Sequence, residues 1–358
     1  MHPRPTRLAL LSVAGLAACT AAVSCGSDSP AEGDDASCDR CADSAGIDVS
    51  LDGIVSDAIE GGTPDTRPAC GSTAWPTYGH DGRRTFASDA CITGPLTVAW
   101  SYAPEPPAGK LAKAVQHVIA DKDAVYLQWA ATIDPYIGTT AVDRVSTAGA
   151  RVWTMDTGTD ANEGNWASIV GSNVVVNDDG VFFMDAVTGK RGVDTGVDWW
   201  GQTIPNGTGL WLANTSKSDG PGLFVGAMDA TAKMTWKQNE QGTACGDSFS
   251  DTMGGIALDG GVLFYAPSYN TGGGGKTLKF TSGLYAFDAA AGTQKWKIDL
   301  PPTSVISVGD GLVYLVESGK DLVARKQSDG SKAWSAPVSG VGAQAPALAG
   351  GLAIVGTA

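Results

Sequence analysis

The sequence contains little histidine, little charge and no long apolar run. It has 3 histidines in 358 residues, and 17% of its residues are charged. No G-x-S-x-G, H-E-x-x-H or phosphate-loop pattern is present. His80 lies in a predicted turn and His117 in a predicted strand, which are ordinary places for structural histidines. Hydrolytic mechanisms therefore receive little support from the sequence.

Basic residues are also scarce. The chain has 24 Lys and Arg residues against 38 Asp and Glu residues, a formal net charge of −14. Residues 28–65 alone hold eleven acidic residues and one arginine, so the rest of the chain is only mildly acidic. Because no basic patch stands out, the sequence predicts no nucleic-acid partner.

The main apolar run, LALLSVAGLAA, lies near the N-terminus behind Arg4 and Arg7. At about eleven residues it is too short to span a membrane as a stable helix. It ends in Leu-Ala-Ala-Cys19, which resembles the bacterial lipobox, in which the cysteine is lipidated; Cys25 is the alternative. This resemblance implies a signal peptide over residues 1–19 and a lipoprotein of the outer membrane, periplasmic or surface-exposed.

Two further segments follow the predicted anchor. Residues 20–67 are rich in Asp, Ser, Ala and Gly and have almost no aromatic residues. Such a segment buries too little apolar surface to offset its chain entropy, so we expect an acidic disordered linker. Residues 68–358 then form the folded domain.

The cysteines predict disulfide bonds. Seven are present, and six remain if Cys19 carries lipid. An even number in an exported protein indicates disulfides, and Cys70 with Cys91 is the first choice for a pair. Cys38 and Cys41 form a C-x-x-C, but no second C-x-x-C or nearby histidine completes a metal site, so we predict no metal.

A pattern of Ala-x-Asp-x-x-x-Gly-x-x-x-Trp recurs along the folded domain. Its copies, complete and degenerate, are Ala286, Asp288, Gly292 and Trp296; Ala324, Lys326, Gly330 and Trp334; Ala227, Asp229 and Trp236, with one residue deleted; Phe183, Asp185, Gly189 and Val193; and Ala141, Asp143, Gly149 and Trp153, with two residues inserted. The aspartate accepts backbone hydrogen bonds in a turn, and the glycine takes its positive-φ position. The tryptophan opens the returning strand and fills the gap to an adjacent sheet.

A hydrophobic hairpin precedes each copy of the pattern, which gives four strands per unit. The repeat ends fall between Trp100 and Trp334 at spacings of 38 to 60 residues. These lengths suit the four-stranded blades of a β-propeller. We therefore predict an all-β propeller of four-stranded antiparallel blades, about six of them recognisable.

The last hairpin, ALAGGLAIVGT, has no third strand after it. The segment LTVAWSY around Trp100 has no strands of its own before it and is suited to be the fourth strand of that blade. Either this blade is incomplete, or the sequence is a truncated piece of a ring of seven or eight blades. An unpaired hydrophobic edge favours truncation.

The tryptophan pattern, together with WPTYGHDGRRT over residues 75–85, resembles the PQQ-type, or quinoprotein-like, β-propeller family. This resemblance covers residues from about 72 to 358. It implies the fold but leaves the function open, because the family contains enzymes and non-catalytic scaffolds. The sequence lacks the adjacent Cys-Cys pair of the alcohol-oxidising members and a cytochrome C-x-x-C-H motif. We therefore expect no enzyme activity and no cofactor, with calcium-held PQQ as the alternative.

Three long loops mix carboxylates with aromatic residues. Their candidate binding residues are Asp160, Glu163, Trp166, Asp198, Trp199, Trp200, Asp247 and Asp251. Together they can form an acidic, tryptophan-lined pocket on one face of the propeller. The preferred interpretation is a non-catalytic scaffold that is tethered to the outer membrane and binds a protein or envelope partner. The alternatives are a PQQ-dependent dehydrogenase and a carbohydrate-binding propeller, for which Trp199 and Trp200 discriminate.

Overall fold

A computed structural model of the chain describes residues 76–77, 79–86, 98–105, 111–134, 137–157, 166–177, 181–194, 199–206, 209–216, 222–239, 255–267, 283–301, 303–338, 345–349 and 351–356. They belong to the compact unit that includes Cys70–Ala358. The predicted signal peptide, the linker and the cysteines Cys19, Cys70 and Cys91 lie outside the described residues.

The described residues form strands and turns, with no helix among them, in six antiparallel sheets that follow one another along the chain. The strands of sheets 1 to 3 are β1 Leu111–Ala120, β2 Ala124–Asp134, β3 Ile137–Ser146 and β4 Arg151–Asp156; β5 Trp166–Val170, β6 Asn173–Asn177, β7 Val181–Asp185 and β8 Arg191–Asp194; and β9 Trp199–Asn206, β10 Gly209–Ser216, β11 Gly222–Met228 and β12 Met234–Asn239. Those of sheets 4 to 6 are β13 Gly255–Asp259, β14 Val262–Ala266, β15 Gly283–Asp288 and β16 Gln294–Asp299; β17 Ser307–Gly309, β18 Leu312–Glu317, β19 Asp321–Lys326 and β20 Lys332–Pro337; and β21 Ala347–Ala349 and β22 Leu352–Ile354.

Each sheet is a meander whose first strand lies innermost. The first strands β1, β5, β9, β13, β17 and β21 contact one another in chain order. The fourth strands β4, β16 and β20 alternate between exposed and half-buried residues, as outer strands do. The predicted all-β blade arrangement is confirmed. Within the described part of the chain, no helix is long and apolar enough to cross a membrane.

The hydrophobic core is divided into clusters between neighbouring sheets. Val142 of sheet 1 packs with Phe182 of sheet 2, and Phe264 of sheet 4 packs with Val313 of sheet 5. Second and third strands are buried on both sides, as in β15, where Gly283 to Phe287 are all buried. Packing face to face therefore holds the sheets together.

Tight turns join the third and fourth strands. In sheet 4 the Asp288 N–H donates to the Thr293 carbonyl at 2.8 Å, and the Gly292 N–H donates to the Asp288 carbonyl at 2.8 Å. Oδ1 of Asp288 accepts from the N–H groups of Ala290 and Ala291 at 3.2 and 3.0 Å. These bonds, with Lys295, lower the pKa of Asp288. The turn thus holds a carboxylate in its charged form.

The turn of sheet 1 corrects one part of the predicted pattern. The turn begins at Ser146, whose N–H donates to the Ala150 carbonyl at 2.8 Å, and Trp153 pairs with Arg144 across the strands. Asp143, which was aligned with the turn aspartates, is instead buried in β3. The alignment with two inserted residues is therefore wrong. A serine hydroxyl, which accepts from the Ala150 N–H at 3.2 Å, replaces the carboxylate in this turn.

Residues 98–105 contact sheet 1. The Tyr102 hydroxyl donates to Oδ2 of Asp143 at 2.7 Å, and Arg151 pairs with Glu105 at 2.9 Å. Burial and this hydrogen bond raise the pKa of Tyr102 to about 12. Residues 98–105 carry no strand pairing, so the fourth strand expected around Trp100 is not seen in that range. Among the described residues, sheet 6 consists of β21 and β22.

Candidate functional site

Four tryptophans make the same hydrogen bond to a following turn: Trp100 to sheet 1, Trp153 from sheet 1 to sheet 2, Trp236 from sheet 3 to sheet 4, and Trp296 from sheet 4 to sheet 5. In each case the indole N–H donates to the carbonyl of the second residue of the next turn, for example Ala289 in the turn that begins at Asp288. The bonds are Trp100 to Thr147 at 3.1 Å, Trp153 to Ala186 at 3.3 Å, Trp236 to Ala289 at 3.1 Å and Trp296 to Gln327 at 2.9 Å. We call this arrangement the latch. It makes the pattern a connection between sheets rather than within one.

The turn glycine completes the latch. The Trp236 ring lies so close to Gly292 that a Cβ there would come within 2.5 Å of it. Trp100 covers Gly149, Trp153 covers Gly189 and Trp296 covers Gly330 in the same way, with closest distances of 2.7, 2.6 and 2.9 Å. These glycines have φ between 69° and 83°. Glycine is therefore required for two reasons: it adopts the positive φ of the turn, and it has no Cβ to collide with the indole.

The contact between sheets 2 and 3, which we call a seam, lacks both the tryptophan and the glycine of the latch. Val193 stands in the tryptophan place of β8 and is 47% exposed. Ala232, at φ 65°, stands in the glycine place of the next turn, because its N–H donates to the Asp229 carbonyl at 3.0 Å. Without an indole above it, the turn has room for a Cβ. Tryptophan and glycine are thus absent together at this seam.

A second feature lies across the innermost strands. The backbone carbonyls of the axial segment, residues 76–86, accept hydrogen bonds from N–H groups of four first strands. The bonds, each 2.7 to 2.9 Å, run from Ile169 to Pro76, from Leu258 to Gly82, from Val308 to Arg83 and from Leu348 to Thr85. The donors belong to sheets 2, 4, 5 and 6, so a single short segment ties these sheets together.

Arg84 is the centre of the axial segment and is 0% exposed. Its guanidinium donates from Nε to the Ile256 carbonyl at 3.2 Å, from Nη2 to the Thr203 carbonyl at 2.8 Å and from Nη1 to the Thr77 hydroxyl at 3.2 Å. Its own carbonyl accepts from the Ser307 hydroxyl at 2.7 Å. The positive charge is thus dispersed over neutral acceptors, which suits a planar, always protonated fork.

Hydroxyl groups extend this network into sheets 2 and 3. The Thr77 and Ser168 hydroxyls lie 2.8 Å apart, and those of Ser168 and Thr203 lie 2.7 Å apart. All three residues are buried, at 1% exposure or less. A chain of buried hydroxyls of this kind satisfies its own hydrogen-bonding groups and fixes the position of the segment.

Sheet 1 contributes His117 to the same region. Burial first, and then the charge of Arg84, lower the pKa of His117 to about 4. The imidazole is therefore neutral at physiological pH. Its cross-strand neighbour Gln128 is 1% exposed, and neither atom of its amide has a hydrogen-bond partner. Gln128 is therefore inaccessible, whereas His117 is half-buried, and a neutral imidazole in this place is typical of a structural histidine.

The loop residues predicted for ligand binding are only partly described. Asp160, Glu163, Asp198, Asp247 and Asp251 lie outside the described residues. Trp166 begins β5, while Trp199 and Trp200 begin β9 and pair with Ser216 and Thr215. The expectation that these three tryptophans lie in loops is wrong, because the inner strands start earlier than their sequence pattern indicates. The candidate site as a whole remains a prediction.

The described residues along the axis do not fit the cofactor that the resemblance suggests. PQQ is a planar polyanion that needs donors for its carboxylates and oxygen ligands for its calcium ion. The guanidinium nitrogens of Arg84 that point inward already donate to acceptors of the chain itself. Within the described ranges, no group of three or more His, Cys, Asp or Glu residues lies close enough to hold a metal ion. We derive no chemistry through that cofactor.

Sequence reasoning missed Arg84. Residues 75–85 indicated only a family resemblance, because the hydrogen-bond acceptors of the Arg84 side chain in β9 and β13 lie 119 and 172 residues away in the sequence. The signal that could have found it was an arginine pair between glycine and threonine in a weakly charged, acidic chain. One arginine of that pair is exposed and the other is buried, which the sequence alone does not distinguish.

Comparisons with known proteins agree with this architecture. A family model described as outer membrane protein assembly factor BamB matches residues 281–358. The quinohemoprotein alcohol dehydrogenase of Comamonas testosteroni matches with a TM-score of 0.55 and 16% identity, over 77% of this chain and 51% of that one. A europium-containing methanol dehydrogenase matches with a TM-score of 0.54 and 13% identity, over 77% and 59%.

A quinohemoprotein alcohol dehydrogenase of Pseudomonas putida HK5 matches with a TM-score of 0.50 and 14% identity, over 79% of this chain and 50% of that one. This chain therefore spans between 50% and 59% of the length of these enzymes. No curated protein matches the sequence. Identities this low show a common fold and not a common activity. The chain has the β-propeller fold of the PQQ-type repeat proteins, and residues 281–358 match their family model directly.

Proposed function

We propose that this chain is a non-catalytic β-propeller scaffold that is tethered to the outer membrane and binds protein or envelope partners. The observation that carries this proposal is the axial segment, in which Arg84 is fully buried and donates to backbone carbonyls of two sheets. A propeller whose inner strands are joined by its own chain is a rigid frame. Such a frame is suited to presenting loops to a partner.

Two further observations support the scaffold. The family model that matches residues 281–358 is described as an assembly factor of outer membrane proteins, which is a binding role. The sequence before the propeller has the features of a lipid anchor at Cys19 followed by an acidic linker. We therefore propose an envelope location, with the propeller held away from the membrane.

The partner is proposed to bind the loop face. The residues proposed for this contact are the carboxylates Asp160, Glu163, Asp198, Asp247 and Asp251, together with Trp166, Trp199 and Trp200 at the beginnings of β5 and β9. Carboxylates and indoles together favour a surface that carries both positive charge and apolar groups. A protein surface meets this description more fully than a sugar, which would use the indoles alone.

The catalytic alternative is tested by thermal denaturation of the protein with excess PQQ and calcium, and by dye-linked oxidation of alcohols. We expect no change in melting temperature and no turnover. A ligand at a hundredfold excess over its Kd would stabilise the folded state by about 2.7 kcal/mol. A clear rise in melting temperature together with turnover would contradict the scaffold.

The binding role is tested by photo-crosslinking in cells. A photoreactive residue is placed at Trp200, and in a control protein at Ser331, an exposed turn residue of sheet 5. We expect a discrete crosslinked envelope protein from position 200 and none from position 331. The anchor is tested in parallel with Cys19→Ala, which should release the protein from membranes, and with Cys25→Ala, which should not.

A further inference from the structure

The axial segment, residues 76–86, is docked mainly by polar contacts. Six apolar clusters hold the described sheets together, and no described residue of this segment belongs to them. Its contacts to the sheets include four backbone hydrogen bonds and the side-chain bonds of Thr77 and Arg84. An element with few buried apolar contacts opens at a lower free energy than the core around it.

The backbone of the axial segment is also strained. Three of the six non-glycine residues with positive φ in the described chain lie in this one segment, namely His80, Arg84 and Phe86, at 77°, 59° and 53°. The left-handed region is costly for a residue with a Cβ, and such residues collect in clamps and switches where the surrounding contacts enforce them. This strain lowers the free energy that keeps the segment docked.

Internal hydrogen bonds make the segment a single unit. The Phe86 N–H donates to the Gly79 carbonyl at 3.0 Å, and the Arg84 N–H donates to the Asp81 carbonyl at 3.1 Å. Oδ1 of Asp81 accepts from the Thr85 N–H at 3.1 Å. These bonds connect the residues that contact sheets 4, 5 and 6, so those residues dock and leave together.

Departure of the segment would leave the six sheets intact. Pairing within the sheets does not involve the segment, and the latches join one sheet to the next without it. The bonds that would break are the ones that fill the space between the innermost strands. An undocked state with folded sheets is therefore accessible to the molecule.

We propose that the axial segment is a gate, which undocks as one unit from the innermost strands while the sheets stay folded and so opens the centre of the propeller. Arg84 is the lock of this gate, because its bonds to the Thr203 and Ile256 carbonyls in sheets 3 and 4 must break in the same step. The frame is rigid while the gate is closed. The proposal does not depend on the proposed function, since it concerns contacts within the propeller only.

Hydrogen exchange of the full chain tests the gate. Four amides donate to the segment, those of Ile169, Leu258, Val308 and Leu348, and they belong to four different sheets. We expect them to exchange at one common opening free energy, which lies below that of global unfolding. Low concentrations of urea should hardly change this exchange, because little surface is exposed when a short segment leaves. Both quantities are measured by NMR.

Matched control amides lie directly opposite in the second strands. They are those of Val174, Leu263 and Val313, which pair with Ile169, Leu258 and Val308 and are all 0% exposed. These amides are protected by the sheets and not by the segment. We expect them to exchange more slowly, with the steep urea dependence of global unfolding.

Variants separate the gate from the stability of the sheets. Arg84→Lys cannot reproduce the fork, so the exchange of all four segment-bound amides should rise by one common factor of about ten or more. Trp296→Phe weakens a latch and should leave their exchange unchanged, while it speeds the control amides about fivefold. Arg83→Lys, at a half-exposed side chain, should change neither set. A cooperative melt of each variant establishes that it is folded, and the urea dependence of the original protein needs no variant.

Three results would overturn the proposal. If the four amides exchange only at the free energy of global unfolding, the segment is a permanent part of the core. If each amide follows the control amide of its own sheet, the sheets open separately. If Arg84→Lys speeds only some of the four, the segment does not leave as one unit. The proposal stands if the four share one opening that responds to Arg84 and not to Trp296.

Discussion

Phe183 and Ala232 pack in the same apolar cluster, at the seam between sheets 2 and 3 where β8 carries Val193. At the next two seams the corresponding residues are Ala227 with Gly292 and Ala286 with Gly330, and the indole that pairs across from each alanine lies over the glycine. At this seam a larger residue on the third strand and a Cβ in the turn occupy the space instead. The latch is therefore a set of three coupled positions rather than a tryptophan alone.

The coupling at this seam can be measured with a double-mutant cycle. Val193→Trp alone should destabilise the protein by about 1 to 2 kcal/mol, because the Ala232 Cβ obstructs the indole. Adding Ala232→Gly should recover about 1 kcal/mol or more beyond the sum of the single effects. The control pairs Ala232→Gly with Val152→Trp, since Val152 is exposed to the same 47% on another outer strand. Denaturant unfolding should show additivity for the control pair only.

The two demands on a latch glycine can be separated by comparison. Gly292 has φ 70° and lies against Trp236, while Gly311 has φ 75° and a Cβ at that position would meet no atom within 4 Å. Gly311→Ala should cost about 1 kcal/mol through backbone conformation alone. Gly292→Ala should cost about 1 to 3 kcal/mol more, because the indole must move. Equal losses in chemical denaturation would show that the tryptophan contact contributes nothing.

Trp296 provides a graded test of the latch. Trp296→Phe removes the hydrogen bond to the Gln327 carbonyl and should cost about 1 kcal/mol, whereas Trp296→Ala should cost about 3 to 5 kcal/mol. Trp199→Ala and Trp200→Ala are proposed to affect a binding surface and should leave the melting temperature nearly unchanged. If the melting temperatures show the reverse order, the latch and binding roles are wrongly assigned.

Arg84 and Arg83 form a matched pair for the axial segment. The Arg84 side chain is buried and makes three forked hydrogen bonds, while that of Arg83 is 50% exposed beside Asp81. Arg84→Lys should lower the free energy of unfolding by about 3 kcal/mol or more, because lysine cannot reproduce the fork. Arg83→Lys should change it by less than about 0.5 kcal/mol. Guanidinium chloride titrations of both variants measure the difference.

His117 predicts a pH dependence of stability. Its folded pKa of about 4 lies below the ordinary value of 6.5, so the unfolded chain binds the proton more readily. The stabilisation is therefore present above about pH 6.5 and is lost as the pH falls towards 4. The free energy of unfolding should decline through this window in the original protein and decline less in His117→Gln. An identical decline in both proteins would assign the effect to other groups.

The sequence predicted the fold class because its signals are local. A turn of the kind formed by Asp288 and Gly292 is encoded within a few residues. Each copy of the turn joins two strands and follows a hairpin of two more, so its recurrence predicts four strands per sheet. The alignment in sheet 1 failed because the turn there is shorter and begins at Ser146, whose hydroxyl accepts the backbone hydrogen bond that an aspartate accepts in other turns. Trp166, Trp199 and Trp200 were placed in loops because polar residues flank them and no alternation marks where an inner strand begins.

The role of Arg84 was beyond local reasoning. Its acceptors lie in β9 and β13, and only the assembled sheets bring those carbonyls to one point. The coupling of Val193 with Ala232 was equally hidden, because the two residues belong to different copies of the pattern. Contacts between copies depend on how sheets face each other, which a single repeat does not encode.

The hydrogen bonds of the axial segment also set an order of events during folding. Residues 76–86 leave the ribosome early, but the Ser307 hydroxyl that binds Arg84 follows 223 residues later, and Leu348 follows later still. The guanidinium therefore stays solvated until β9 and β13, which hold its acceptors Thr203 and Ile256, have been made, and the backbone of the segment is fully paired only after Leu348 has followed. Loop closure over such distances is slow, so partly folded chains with an open interior should persist long enough to be exposed to aggregation.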